Sequence, residues 1–392
     1  MSIQLQTLLA NIPLYAGLTD AYGATHLPVY NTATYDLKRQ QDTEKTYDYS
    51  RSDNPTRNAL EKVFALAEEG ASCTCVNSGL AAIKLLIEAA TRANDTILVE
   101  KNCYGGTFRM LKIALEQFNI QTLYVDFTQE DAVEAHLKNH DVRLVWCESP
   151  TNPNLKIIDL VRIAALCRQY DALLAVDNSM ATFASQQPLL AGADFSIFSS
   201  TKFISGHGSV TAGAVVSKTP EWGERIAYLS NAYGLAQSPF DCYLVSLGLP
   251  TLIQRMKAQE QSALQLARYL EQQDWVETVL FPGLPSHPQY DLATAQLRII
   301  PSIISVTLRE AGMVSGIVRN LRLFGQKVSF GCADSRIELP ADMSHASLSE
   351  AELNAHGLSR RLIRLSVGLE DSRDLIRDFE NAVKLCAICE VC

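Results

Sequence analysis

The stretch Ala172–Val216, ALLAVDNSMATFASQQPLLAGADFSIFSSTKFISGHGSVTAGAVV, decides how the 392-residue chain is read. A short apolar run, Ala172 to Val176, ends on Asp177, and a second, Phe195 to Phe198, opens onto Ser199-Ser200-Thr201-Lys202. Both runs look like strands buried in a sheet covered by helices. In open α/β sheets ligands lie beyond the carboxyl ends of the strands, so this reading sends Asp177 and Lys202 to one edge.

An acid and a lysine at one strand edge, with hydroxyls just before the lysine, suit a group that needs a covalent amine, an anion opposite a ring nitrogen and donors for a phosphate. Pyridoxal phosphate (PLP) has all three requirements. Taken singly, the residues have ordinary explanations: Asp177 as a helix cap, Lys202 as a solvated charge, Ser199 and Thr201 as a turn. Taken together, D-N-S, P-L, G-A-D, S-S-T-K and G-H resemble the Cys/Met-metabolism family of PLP enzymes, which includes the cystathionine lyases and synthases. The resemblance implies the α/β architecture of PLP fold type I, aspartate aminotransferase-like. A large domain with a mainly parallel sheet flanked by helices would be joined to a smaller C-terminal α/β domain. On that pattern residues 1–48 form an arm contributing to the neighbouring subunit, 49–235 the PLP-binding domain, and 236–392 the C-terminal domain with its linking helix.

Composition agrees with a small-molecule enzyme. Hydrophobic residues make up 47% and charged residues 20%, ordinary values for a globular protein of this length. A net charge of -9 and a pI near 5.4 leave no basic stripe to neutralise phosphates, which argues against a nucleic-acid partner. Met1 to Gly17 lacks the pattern of a secretory signal and no apolar run approaches the length of a membrane span, so the expectation is a cytoplasmic protein without a membrane partner. The ten cysteines are spread along the chain and read as reduced thiols. Cys386, Cys389 and Cys392 form C-x-x-C-x-x-C, but no fourth ligand is evident nearby and the segment continues an amphipathic helix; it is read as structural, with no metal expected.

Upstream of the opening stretch, each predicted strand end carries a candidate. Asn77-Ser78-Gly79 precedes a helix beginning at Leu80, whose free N–H groups form an anion site. A strand over 95–99 leads to Tyr104-Gly105-Gly106-Thr107, and further strands are predicted over 121–126 and 142–147, the last ending at Glu148-Ser149-Pro150-Thr151-Asn152-Pro153. The resemblance implies phosphate binding by the Gly79 and Leu80 backbone with Ser199 and Thr201, and stacking of Tyr104 on the cofactor ring. It places Asn152 on the cofactor's phenolic oxygen or a substrate carboxylate. Tyr49 and Arg51, in YSRSDNPT, would reach the phosphate of the other subunit, which implies a homotetramer built as a dimer of dimers with shared sites. After Gly206-His207 the family usually continues Ser-Asp, whereas this chain has Gly208-Ser209 and lacks that acid.

Past Tyr233 a long helical stretch is predicted, broken near Gly248-Leu249-Pro250, followed by strands such as 303–308 and helices such as 314–323. Arg364, in R-L-S-V-G-L-E-D, is permanently charged and bidentate, suited to clamp the α-carboxylate of an amino-acid substrate. Ser329 lies in VSFG, and there many γ-acting members carry Glu where this chain has Val328. Losing a hydrogen bond to a charged group removes roughly 1.5 to 3 kcal/mol, one to two powers of ten in preference. VSFG, MSHAS at 343–347, DNS at 177–179, TKF at 201–203 and PFDC at 239–242 are most similar to plant-type cystathionine β-lyases. The implied reaction is β-elimination of cystathionine to homocysteine, pyruvate and ammonia, with Lys202 as cofactor anchor and base and Asp177 facing the ring nitrogen. Gly106, where methionine γ-lyases usually have Cys, counts against that activity, while Asp48 keeps the γ-lyase and γ-synthase readings open. A sulfhydrylase acting on an activated homoserine is a further alternative.

Overall fold

The computed structural model describes residues 3–18, 20, 22–40, 45–344, 353 and 357–389, with side chains to Cys386. Its large sheet has seven strands: β1 (Ser72–Val76), β2 (Thr96–Glu100), β3 (Gln121–Val125), β4 (Val142–Glu148), β5 (Leu173–Asp177), β6 (Phe195–Phe198) and β7 (Gly213–Ser217). Their spatial order is β1-β7-β6-β5-β4-β2-β3. Neighbours from β6 through β3 are parallel. β7 runs antiparallel to both β6 and β1, so it alone is reversed. The sequence reading left Gly213–Ser217 unassigned, because a five-residue run behind a Gly-rich loop carries no periodic signal of its own.

Both faces of the sheet's central strands β2, β4 and β5 are almost wholly buried, while the edge strand β3 is partly exposed. Val145, Cys147, Leu174 and Val176 face a core shared with the helices Pro55–Glu68 and Leu160–Gln169. Leu144, Trp146, Ala175 and Phe195 face another, shared with the helices Gly79–Ala90, Gly105–Phe118 and Pro220–Tyr233. The N-terminal region, read from the sequence as an arm, also packs on its own chain. Two short helices, Leu5–Ala10 and Ile12–Ala16, bury Leu8, Leu9, Ile12 and Ala16 in the first of these cores.

The linking stretch runs as Pro239–Gly248, a tight turn at Leu249–Thr251 and a 20-residue helix, Leu252–Glu271. It leads to a second sheet of β8 (Val276–Leu280), β9 (Ile303–Leu308), β10 (Gly325–Gln326), β11 (Arg336–Glu338) and β12 (Leu362–Ser366), ordered β10-β11-β12-β9-β8. The helix expected over 314–323 spans Ala311–Asn320 instead. The carboxylate of Asp378 accepts the N–H groups of Arg322 and Leu323, drawing the chain out of the helix. Arg255 ties the linking helix to the loop after β6, donating to the carbonyls of Phe203 at 2.9 Å and Gly248 at 2.8 Å. No helix among the described residues is long and apolar enough to cross a membrane.

Candidate active site

Register brings the acids and the lysine to one edge. Glu148, last in β4, pairs with Asp177, last in β5, and β6 lies beside β5 and releases the chain into Ser199–Lys202. Lys202 Nζ donates to Ser329 Oγ at 2.7 Å and lies 4.9 Å from the centre of the Phe330 ring. Burial, with the charge of Arg364 next in weight, lowers the Lys202 ammonium to about 8, while Glu338 acts the other way. At pH 7 about a tenth is therefore the free amine, far more than for an ordinary lysine, and this is the form that acts as nucleophile or base.

Asp177 is buried, and desolvation raises its carboxyl above the ordinary range; the Ser179 hydroxyl, the Ser179 N–H at 3.0 Å and the charge of Lys202 pull it down. Ser179 Oγ also accepts the N–H of Ser199 at 2.6 Å, so one hydroxyl joins the acid to the turn before the lysine. Across that turn lies the start of the helix Gly79–Ala90, capped by Ser78 Oγ accepting from Ala81 N at 3.1 Å. A Cβ at Gly79 would stand 2.7 Å from Ser199 Cβ. Only glycine lets the helix N-terminus and the Ser199 turn approach this closely, and together they offer backbone donors and a hydroxyl to an anion.

Tyr104 caps the helix Gly105–Phe118, with its ring folded over Gly106: a Cβ there would fall 2.9 Å from Tyr104 Cζ and 2.7 Å from Leu80 Cδ1. Burial raises its phenol further, so it stays protonated at neutral pH. Glu148, which the sequence reading passed over as part of a motif, holds this edge together. Its Oε2 accepts Tyr104 N at 2.8 Å and its Oε1 accepts Asn152 N at 2.7 Å. Desolvation, reinforced by the neighbouring charge of Asp177, raises its carboxyl well above the ordinary range.

From the smaller sheet, Arg364 on β12 enters the same space. Its guanidinium donates to Asn152 Oδ1 and to the Ser329 carbonyl, each at 2.9 Å, and pairs with Glu338, its cross-strand neighbour on β11. Both side chains are almost completely enclosed, Arg364 at 3% and Glu338 at 1% exposure. Glu338 was not among the sequence candidates, since its role depends on strand register. The buried Arg364 Nε has no acceptor among the described residues. Ser329 joins both cations, its hydroxyl to Lys202 and its carbonyl to Arg364, from a backbone at φ +81° that non-glycine residues rarely adopt.

Other candidates are engaged elsewhere or exposed. Thr201 Oγ1 is engaged twice by the Ala212 peptide, accepting from its N–H at 2.8 Å and donating to its carbonyl at 3.1 Å. The expected donor to a phosphate therefore has its hydroxyl proton committed to closing the loop. Tyr49 is 42% exposed, and Arg51 donates to Asn231 O at 2.9 Å with its charge 5.4 Å from the Tyr49 ring. Val328 is 58% exposed. Cys386 is buried against Gly316, whereas the side chains of Cys389 and Cys392, like residues 345–347 of MSHAS, lie outside the described residues.

These groups fit pyridoxal phosphate: a buried lysine with a depressed basicity, a buried carboxylate awaiting a cation, and an anion cradle that a single Cβ would fill. The Cys/Met metabolism PLP-dependent enzyme model matches residues 12–384. Cystathionine gamma-synthase of Mycobacterium tuberculosis is 38% identical over 364 residues, 93% of each chain. Cystathionine beta-lyase of Lactococcus lactis subsp. cremoris is 38% identical over 362 residues, 92% of this chain and 94% of that one. The solved cystathionine gamma synthase of Xanthomonas oryzae pv. oryzae, in complex with aminoacrylate and cysteine, superposes with a TM-score of 0.94 at 32% identity, covering 99% of this chain and 100% of that one. With the fold, the edge geometry and these similarities in agreement, the chain belongs to the Cys/Met metabolism PLP-dependent enzymes and takes pyridoxal phosphate as its cofactor.

Proposed function

We propose that the protein is a carbon–sulfur lyase that cleaves L-cystathionine by β-elimination, releasing homocysteine, pyruvate and ammonia. Pyridoxal phosphate, when bound, supplies an electron sink that acidifies the substrate's Cα–H. Lys202 would hold it, and its free amine, whose basicity is lowered by burial, would take the substrate's Cα proton on Nζ. Asp177 would keep the ring nitrogen protonated, Gly79, Leu80 and Ser199 would hold the phosphate with Thr201 supporting the loop, and Tyr104 would lie against the ring. Arg364, oriented by Glu338 and Asn152, clamps the α-carboxylate, and its unengaged Nε supplies a donor.

The observation that carries β-elimination is Val328: at the exposed position beside Ser329 the chain presents an aliphatic side chain and no acid to meet a distal ammonium. The deciding experiment mixes purified holoenzyme with cystathionine and identifies the keto acid. Pyruvate is expected. Formation of 2-oxobutyrate instead, or no keto acid from cystathionine but γ-replacement when a thiol or sulfide and an activated homoserine are supplied, overturns the assignment in favour of a γ-lyase or a synthase.

We further infer that Tyr49 and Arg51 complete the phosphate site of a neighbouring subunit within a homotetramer. The exposure of both side chains, with the Arg51 guanidinium held at Asn231 O and beside the Tyr49 ring, supports that reading.

A further inference from the structure

At the start of β11, two residues before Glu338, the chain places a guanidinium that no role above uses. Arg336 is largely enclosed, its side chain 14% exposed. Asp334 accepts from its Nη2 at 3.0 Å and from its Nε at 3.3 Å. Arg336 Nη1 donates to the carbonyl of Val328 at 3.3 Å, immediately before the serine that holds Lys202. On its other side, Nη2 would lie 3.0 Å from a Cβ at Gly208, whose φ is +65°. The absence of a side chain at Gly208 therefore gives the guanidinium its room. The positive charge of Arg336 also reaches Lys202, where it works with burial and Arg364 to lower the ammonium.

The charge balance here favours an anion. Asp334 is shared with Lys327 at 2.9 Å, so two cations face one carboxylate, and neighbouring Val328 contributes no charge. The two bonds to Asp334 and one to Val328 leave one N–H on each of Nη1 and Nη2. Arg364 is likewise held by an acid, Glu338 on β11, whereas the acid that holds Arg336 precedes that strand.

We propose that Arg336 is a specificity-determining residue that reads the far end of the substrate, selecting amino acids whose side chain ends in a carboxylate. The assignment rests on Lys202 and Arg364 marking an amino-acid site, and is independent of which substrate bond is broken. Cystathionine satisfies it through its distal carboxylate, while the distal ammonium meets no dedicated acid at Val328.

The test uses holoenzyme and two amino acids without a leaving group, L-2-aminosuberate and L-2-aminooctanoate. They have the same chain length, but only the first ends in a carboxylate, at the spacing found in cystathionine. Binding is read from the change in the cofactor's visible absorbance on titration. The wild-type protein is expected to bind 2-aminosuberate at least roughly tenfold more tightly, as for loss of a charge-assisted pair. Arg336→Met should bring the two ligands to within about twofold, and Arg336→Lys, which keeps the charge and removes the fork, should retain an intermediate preference. An unchanged ratio in both variants, or no preference in the wild-type protein, overturns the proposal. Because neither ligand can undergo elimination, this result is separate from the keto-acid test: failure there leaves the Arg336 assignment standing, and failure here leaves β-elimination standing.

Discussion

Lys202 shows how far a single side chain depends on its surroundings. An ordinary lysine stays cationic past pH 10, but burial beside two guanidinium groups brings this one to about 8. The neutral amine is the form that attacks an aldehyde, so its share grows as pH rises toward 8 and levels off above. The rate at which cofactor-free protein takes up pyridoxal phosphate is expected to climb about tenfold per pH unit between pH 6 and 7.5 and flatten above 8. A rate still climbing between pH 9 and 10 would mean that the amine is not shielded as described. Lys202→Ala should retain the fold and lose turnover by roughly a thousandfold or more, together with the absorbance of the covalent link. Circular dichroism separates that outcome from unfolding.

At the scale of the element, the close approach of the helix Gly79–Ala90 to the Ser199 turn matters more than either piece. Gly79→Ala opposes two effects. Alanine favours the helix by about 1 kcal/mol over glycine. Its Cβ, 2.7 Å from Ser199 Cβ, forces helix and turn apart. Cofactor affinity is therefore expected to fall roughly ten- to a hundredfold, the cost of losing a hydrogen bond to a charged group. Thermal stability of the cofactor-free protein should change little or rise. Equilibrium titration with the cofactor and a melting curve measure the two halves; equal loss in both would show a general packing defect. The same scale explains why Glu148 and Glu338 went unrecognised in the sequence. Glu148 earns its place by accepting two backbone N–H groups 44 residues apart and 4 residues apart, and Glu338 by facing Arg364 across a strand pair.

For the whole molecule, the exposed Tyr49 and Arg51 lead to a subunit-mixing prediction. Arg51→Ala and Lys202→Ala are each expected to be nearly inactive as pure proteins. If sites are shared, a mixed dimer carries both defects in one site and leaves the other intact. Dissociation and reassociation of an equal mixture should then restore about one quarter of wild-type activity, from random pairing across a two-fold interface. No recovery, with mixed dimers demonstrated by mass spectrometry, would place Arg51 in its own subunit's site or outside catalysis.

By itself the sequence determined the buried strands ending at Asp177 and Phe198, the βαβ rhythm around them and the residue types at each strand end, because hydrophobic runs, glycines and ionisable side chains are local features. Tertiary structure decided which of those ends meet. It inserted β7 in reverse, committed the Thr201 hydroxyl to Ala212, set Glu338 behind Arg364 and opened a place for Arg336 beside Gly208. Such pairings join residues tens to hundreds of positions apart, and burial rather than residue type sets the charge state of Lys202, so neither is written in any short stretch of the chain.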